Sequence, residues 1–203
     1  MKNTEKLRDE LHESFASAFE KDDILSLQKF YRQLKVLNRK ANYFDIESVD
    51  ISNLAENISL ATDILVNQNG KTVIFCGNEV SSVLGNRQFL TKAILEMISN
   101  AIFYGLGSLI TVKCYEKSDN IYLCVQSLGE FNFTEKSDGI NYIRKSAKIF
   151  GGRFVIFTSE DCSSQILVLK KAYISTTEKN PTFLELVNDR LSPVYIELYG
   201  VNS

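Results

Sequence analysis

The sequence predicts an α+β fold: a two-layer sandwich whose mixed sheet is covered by helices on one face, preceded by an N-terminal helical hairpin. Two observations carry this. From residue 45 onward, stretches of period-two alternation and stretches of three–four apolar spacing follow one another as helix, strand, helix, hairpin, helix, hairpin. Before residue 44 only the three–four spacing occurs, with no strand pattern. The organisation read from these patterns is a hairpin over 1–44, a domain over 45–175 and an extension over 176–203.

The elements follow in order. Residues 2–20 place Leu7, Leu11, Phe15 and Phe19 four apart, one apolar stripe of a helix. The acids of EKDD, residues 20–23, break that stripe and suit the start of a second helix. That helix, 24–43, carries Leu27, Phe30, Tyr31, Leu34 and Leu37. A hairpin so short cannot bury both stripes alone, so pairing with a second copy into a four-helix bundle is expected. A helix is expected from about 50 to 66, ending near the turn signal Asn69-Gly70, and a strand over KTVIFCG, 71–77. A helix over about 86–104 leads to two strands, LITVKCYE and IYLCVQS, joined at KSDN. A further helix, about 137–150, ends at Gly151-Gly152, residues suited to a C-terminal cap. RFVIFTS and QILVLKK form a last hairpin. In the extension, 181–191 reads as a short helix and 193–199 alternates like a strand, with Tyr195 and Tyr199 placed to cover a sheet edge.

Composition narrows the function classes. A hydrophobic content of 44% and a charged content of 24% are those of an ordinary globular domain. The net charge of −2 gives no general attraction to nucleic acid. No apolar run approaches the ~20 residues that span a bilayer, and the charged N-terminus lacks the apolar core of a secretion signal. A cytoplasmic protein without membrane insertion is therefore expected. Cys76, Cys114, Cys124 and Cys162 stand singly; three lie in strand-like runs and Cys162 in an expected turn, so reduced thiols rather than a metal centre are predicted. Arg144, Lys145 and Lys148 read as the solvated face of their helix.

One stretch asks for chemistry. LEMISNAIFYG, residues 95–105, is apolar apart from Glu96, Asn100 and Tyr104, which share one helical stripe. Ile94, Met97, Ile98, Ala101 and Gly105 fall on another. A carboxylate and a carboxamide at the edge of a buried face need partners, because an orphaned buried polar group costs about 1–3 kcal/mol. The partners are either other side chains, Lys92 one turn away among them, or a ligand.

LEMISNAIFYG resembles the N box of the ATPase superfamily that unites histidine kinases, gyrase-type ATPases and anti-sigma-factor kinases. VDISNLAENISLATDILVNQNGKTVIFCG resembles the join between the hairpin and catalytic domain of sensor kinases, and SDGINYIRKSAKIFGGRFVIFTSE their second glycine box with the helix and strand after it. The match runs from about 24 to 171. It implies ATP and Mg²⁺ as ligands, with Asn100 on the metal, Glu96 as a general base, and Tyr104, Ser127, Gly129 and Gly139 around the nucleotide.

Several positions depart from the family pattern. In VQSLGEF, Ser127 stands where the first glycine box has the aspartate that recognises adenine; Gly129 keeps the first glycine and Phe131 replaces the second. The lid, EFNFTEKSD, is short. Ser137 and Gly139 replace a glycine pair, and Phe103 replaces a basic residue near phosphate. Backbone N–H groups near Gly139 still offer an anion cradle. The expected state is therefore one without bound nucleotide. His12-Glu13 resembles the phospho-accepting dipeptide, although the arginine and proline that follow it in the family are missing. The resemblance implies a signalling protein, dimeric through 1–44, that binds a response regulator or partner kinase and relays phosphate through His12 in the manner of sporulation phosphotransferases. An active ATP- and Mg²⁺-dependent kinase or ATPase, and a scaffold without chemistry, are the alternatives.

Overall fold

The computed structural model describes residues 46–129, 138–173 and 179–198. The hairpin over 1–44, its dimer contact and His12 lie outside them, as do Phe131, Ser137 and Tyr199.

The chain forms β1 (Glu47–Val49), α1 (Ile51–Val66), β2 (Thr72–Phe75), β3 (Val83–Gly85), α2 (Arg87–Tyr104), β4 (Leu109–Lys117), β5 (Asn120–Leu128), α3 (Asp138–Ile149), β6 (Arg153–Thr158), β7 (Cys162–Lys170), α4 (Phe183–Asn188) and α5 (Pro193–Glu197). Five strands make one sheet in the order β2-β4-β5-β7-β6. β2 runs parallel to β4 and the remaining pairs are antiparallel, which is the expected mixed sheet. Helices pack on one face, so each strand is apolar on that side: Ile110, Val112 and Cys114 on β4, and Ile121, Leu123 and Val125 on β5, are buried.

Local chemistry starts the two long helices. Asp50 caps α1 by accepting from Asn53 N–H at 3.0 Å, and Asn86 caps α2 through Phe89 N–H at 2.9 Å. α2 packs on β4 and β5 and also touches α1, α3 and α5. Twelve of its residues are buried, on more than one stripe, which is why its apolar pattern is broad rather than a clean seam.

The structure departs from the sequence reading at several positions. Residues 193–197 form a helix, not a strand: Pro193 occupies its first turn, where the fixed φ suits helix entry and the missing N–H has no partner to lose. Val194 and Ile196 are buried, and α5 packs on α1 and α2, so Tyr195 lies against the helical core and not along a sheet edge. A two-stranded ladder, β1 with β3, has no counterpart in the sequence reading, because three-residue strands leave no periodic signal. Cys76 is exposed just past β2, and Cys162 begins β7 instead of lying in a turn.

Among the described residues no helix is long and apolar enough to cross a membrane. Burial pushes the thiol of Cys114 up to about 12 and that of Cys124 up to about 11, while all four cysteines are free. At pH 8 a disulfide-exchange reagent is expected to modify Cys76 first and to leave Cys114 and Cys124 unmodified until the chain unfolds. Prompt reaction of all four would contradict the buried positions.

Candidate functional site

The candidate site residues lie on α2, on β5 and at the start of α3, and α2 packs against both β5 and α3. Asn100 sits on the sheet-facing side of α2, 7% exposed. Its Nδ2 donates to Oε1 of Gln165 at 3.2 Å, and Nε2 of Gln165 donates to the carbonyl of Met97 at 2.7 Å. A carbonyl can only accept, so the Met97 contact fixes which end of Gln165 faces Asn100. That in turn fixes Asn100, whose nitrogen is used and whose oxygen is turned away from Gln165. Gln165 is fully buried on β7, opposite Val125. Sequence reasoning passed over it. The available signal was a glutamine at an inward position of QILVLKK, in phase with Leu167 and Leu169.

Glu96, one turn before Asn100, is half-buried and points at α3. Its carboxylate lies against Gly139, at the start of α3, so closely that a Cβ there would collide with it. Lys92 places its ammonium 4.4 Å from the ring centre of Tyr142 on α3. Phe89 adds ring contacts to Tyr142 and Phe150 at 5.7 and 5.2 Å. Glu96, Lys92 and Phe89, on successive turns of α2, therefore follow the run of α3.

Ser127 lies on β5 at 3% exposure, its hydroxyl buried without a hydrogen-bond partner. Gly105, just past α2, closes over it: a Cβ on Gly105 would stand 2.5 Å from Ser127 Oγ. Lys71 holds this turn in place, its ammonium donating to the carbonyls of Gly105 and Gly107 at 3.1 and 2.8 Å. Gly129 is left-handed (φ 77°). Its N–H donates to Asp161 carbonyl and its carbonyl accepts from Ser163 Oγ, both at 2.8 Å, while Leu106 packs on it. Tyr104 and Phe103 close α2, each 45% exposed. The structure thus brings Glu96 to Gly139, and Ser127 to Gly105.

Solved histidine-kinase domains superpose on this architecture. The fold is that of the histidine-kinase ATP-binding domain. The Acinetobacter baumannii histidine kinase AdeS superposes with a TM-score of 0.57 at 16% identity, covering 77% of this chain and 83% of that one. The ATP-binding domain of PrrB from Mycobacterium tuberculosis gives 0.55 at 17%, covering 63% and 98%. Full-length ShkA in complex with AMPPNP gives 0.55 at 12%, covering 79% of this chain and 39% of ShkA. No protein-family model and no curated protein matches the sequence. The likeness is one of architecture.

The histidine-kinase fold implies ATP and Mg²⁺, and the residues of this chain fit them poorly. Ser127, which the resemblance would set beside adenine, is a buried hydroxyl with Gly105 packed against it and not a carboxylate. The start of α3, where backbone N–H groups favour an anion, faces the carboxylate of Glu96. For the metal, Asn100 offers one carboxamide oxygen. No group of three or more His, Cys, Asp or Glu side chains that could hold a metal ion occurs among the described residues.

Proposed function

We propose that the chain is a signalling protein whose histidine-kinase-like domain has lost nucleotide chemistry and works through partner binding or phosphorelay. In this reading residues 1–44 form the dimer, a response regulator or partner kinase is the binding partner, and His12 takes up the phosphoryl group. The observation that carries it is Ser127. A carboxylate accepting from the adenine amino group would add a charge-assisted bond of about 1.5–3 kcal/mol. A hydroxyl sealed under Gly105 supplies none. The competing reading, an active ATP- and Mg²⁺-dependent kinase or ATPase, draws its support from Glu96 and from the oxygen that Asn100 retains.

Calorimetric titration of the full chain with ATP and a non-hydrolysable analogue, with and without Mg²⁺, decides between them. The expected result is no saturable binding at millimolar nucleotide. Mg²⁺-dependent binding that disappears in Asn100→Ala would overturn the proposal and restore the kinase. With binding absent, a phosphorylated response regulator is expected to transfer its phosphoryl group to the full chain and not to His12→Gln.

A further inference from the structure

We propose that β6 is a self-pairing edge: two copies of the chain join antiparallel along it, with the two-fold axis at Ile156, so that their sheets run on as one. The inference is independent of the nucleotide reading and adds a contact between copies to the one proposed through residues 1–44.

β6 ends the sheet and, among the described residues, is bonded only to β7. Ser159 N–H donates to Cys162 carbonyl at 2.9 Å, and the bonded pairs of an antiparallel ladder recur at every second residue. Arg153, Val155 and Phe157 therefore spend their backbone groups on β7, opposite Val168, Ile166 and Ser164. Phe154, Ile156 and Thr158 turn theirs outward, where no strand lies among the described residues. Sheet edges are commonly blunted by brevity, charge, proline or a covering side chain. The other edge of this sheet is blunted in that way: β2 has four residues, and Asp63 on α1 accepts from Val73 N–H at 2.8 Å. β6 has six residues, with neither charge nor proline between Phe154 and Thr158.

What lies along the edge fits a second copy of the same strand. With the axis at Ile156, Phe154 meets Thr158 of the second copy and Ile156 meets Ile156, so every outward N–H faces an outward carbonyl. An axis at Val155 would draw in Gly152, whose N–H already serves Ala147 carbonyl, and one at Phe157 would draw in Glu160, in the bend before β7. On the face away from the helices, the axis at Ile156 sets Val155 against Phe157 of the second copy and covers a ring that is 60% exposed. Arg153, exposed, then lies opposite Ser159 of the second copy and beside its exposed Glu160 and Asp161, at both ends of the pairing. A strand pair buries less than the roughly 1,600 Å² of a standard interface, so assembly is expected to depend on concentration.

The test uses the full chain, read by amide hydrogen exchange and by sedimentation over a concentration series. The amides of Phe154, Ile156 and Thr158 are expected to exchange about tenfold or more slowly at high concentration than at low, and those of Val155 and Phe157 equally at both. Thr158→Pro, which removes an outward N–H and no bond to β7, and Phe157→Lys, at an exposed position, are each expected to abolish that difference. In a background of Cys76→Ser and Cys162→Ser, copies carrying Val155→Cys and copies carrying Phe157→Cys are expected to form a disulfide far faster when mixed than when kept apart.

Rapid exchange of the three outward amides at every concentration would overturn the proposal. So would protection that persists both on dilution and in Phe157→Lys, since another part of the chain would then cover the edge. Cross-linking of either copy alone as fast as the mixture would overturn the axis at Ile156. Should Thr158→Pro fail to fold, Phe157→Lys carries the test. Dimers that both substitutions leave intact, with the three amides unprotected, count for the contact through residues 1–44 and against the one through β6.

Discussion

Replacing Gln165 with leucine is expected to destabilise the folded chain by about 2–3 kcal/mol, read by urea denaturation. The side chain is fully buried and joins α2 to β7 through two hydrogen bonds, one to Asn100 and one to Met97. Leucine keeps the volume and removes both. The carbonyl of Met97 still has the helix bond it accepts within α2, so its loss is small. Asn100 is the expensive partner, because its buried nitrogen is left without an acceptor, about 1–3 kcal/mol by itself. The two substitutions should therefore be far from additive. Asn100→Leu with Gln165→Leu is expected to be less destabilised than the sum of the single changes, since no half of the pair remains orphaned. An additive pair would mean that the two carboxamides do not depend on each other.

Gly152→Val is expected to have the largest effect on stability, about 3 kcal/mol or more, seen as loss of the cooperative unfolding transition under mild denaturant. A Cβ at this position would run into the carbonyl oxygen of Val168, with Val168 carbon at 3.2 Å and Ala147 oxygen at 3.3 Å also in the way. These are backbone atoms of β7 and of α3, and neither can turn aside as a flexible side chain would. The N–H of Gly152 also donates to Ala147 carbonyl at 2.8 Å, closing the end of α3. Gly151 differs. It is left-handed, at φ 68°, with only Lys170 Cγ nearby at 3.7 Å. Alanine there should cost only about 1 kcal/mol, the strain of the conformation alone. A large effect at 151 with a small one at 152 would contradict the packing described.

These two glycines show where sequence reading reaches and where it stops. The pair was legible as a helix terminus, since a glycine after a run of helix formers is a local signal. That one glycine serves the backbone angle and the other a contact with β7 was not, because Val168 lies 16 residues further on. The same division holds at the site. Asp50 and Asn86 cap their helices through residues three positions away, and their role follows from the adjacent letters. Gln165 reaches Asn100 across 65 residues. Nothing near either residue in the chain announces the other.

Glu96 was legible as a polar residue needing a partner, with Lys92 and a ligand as the open choices. The structure places its carboxylate at Gly139, and Lys92 over Tyr142. Residues 193–197 were misread for a related reason. Val194, Ile196 and Leu198 alternate, which five residues can do in a strand or in a short helix, and packing on α1 and α2 settled it.

By itself, then, the sequence determined the order of the long helices and strands between 50 and 171, the inward side of each long strand and the helix ends, all of which follow from periodicity or from chemistry within a few residues. The kinase-like assignment of Glu96, Asn100, Ser127 and Gly139 came instead from a resemblance to a family. Tertiary structure alone decided what those four residues touch: Gln165 beside Asn100, Gly139 beside Glu96, Gly105 over Ser127. The reason is physical. A buried polar group must find a partner, but which partner it finds depends on how helices and strands distant along the chain come to lie together.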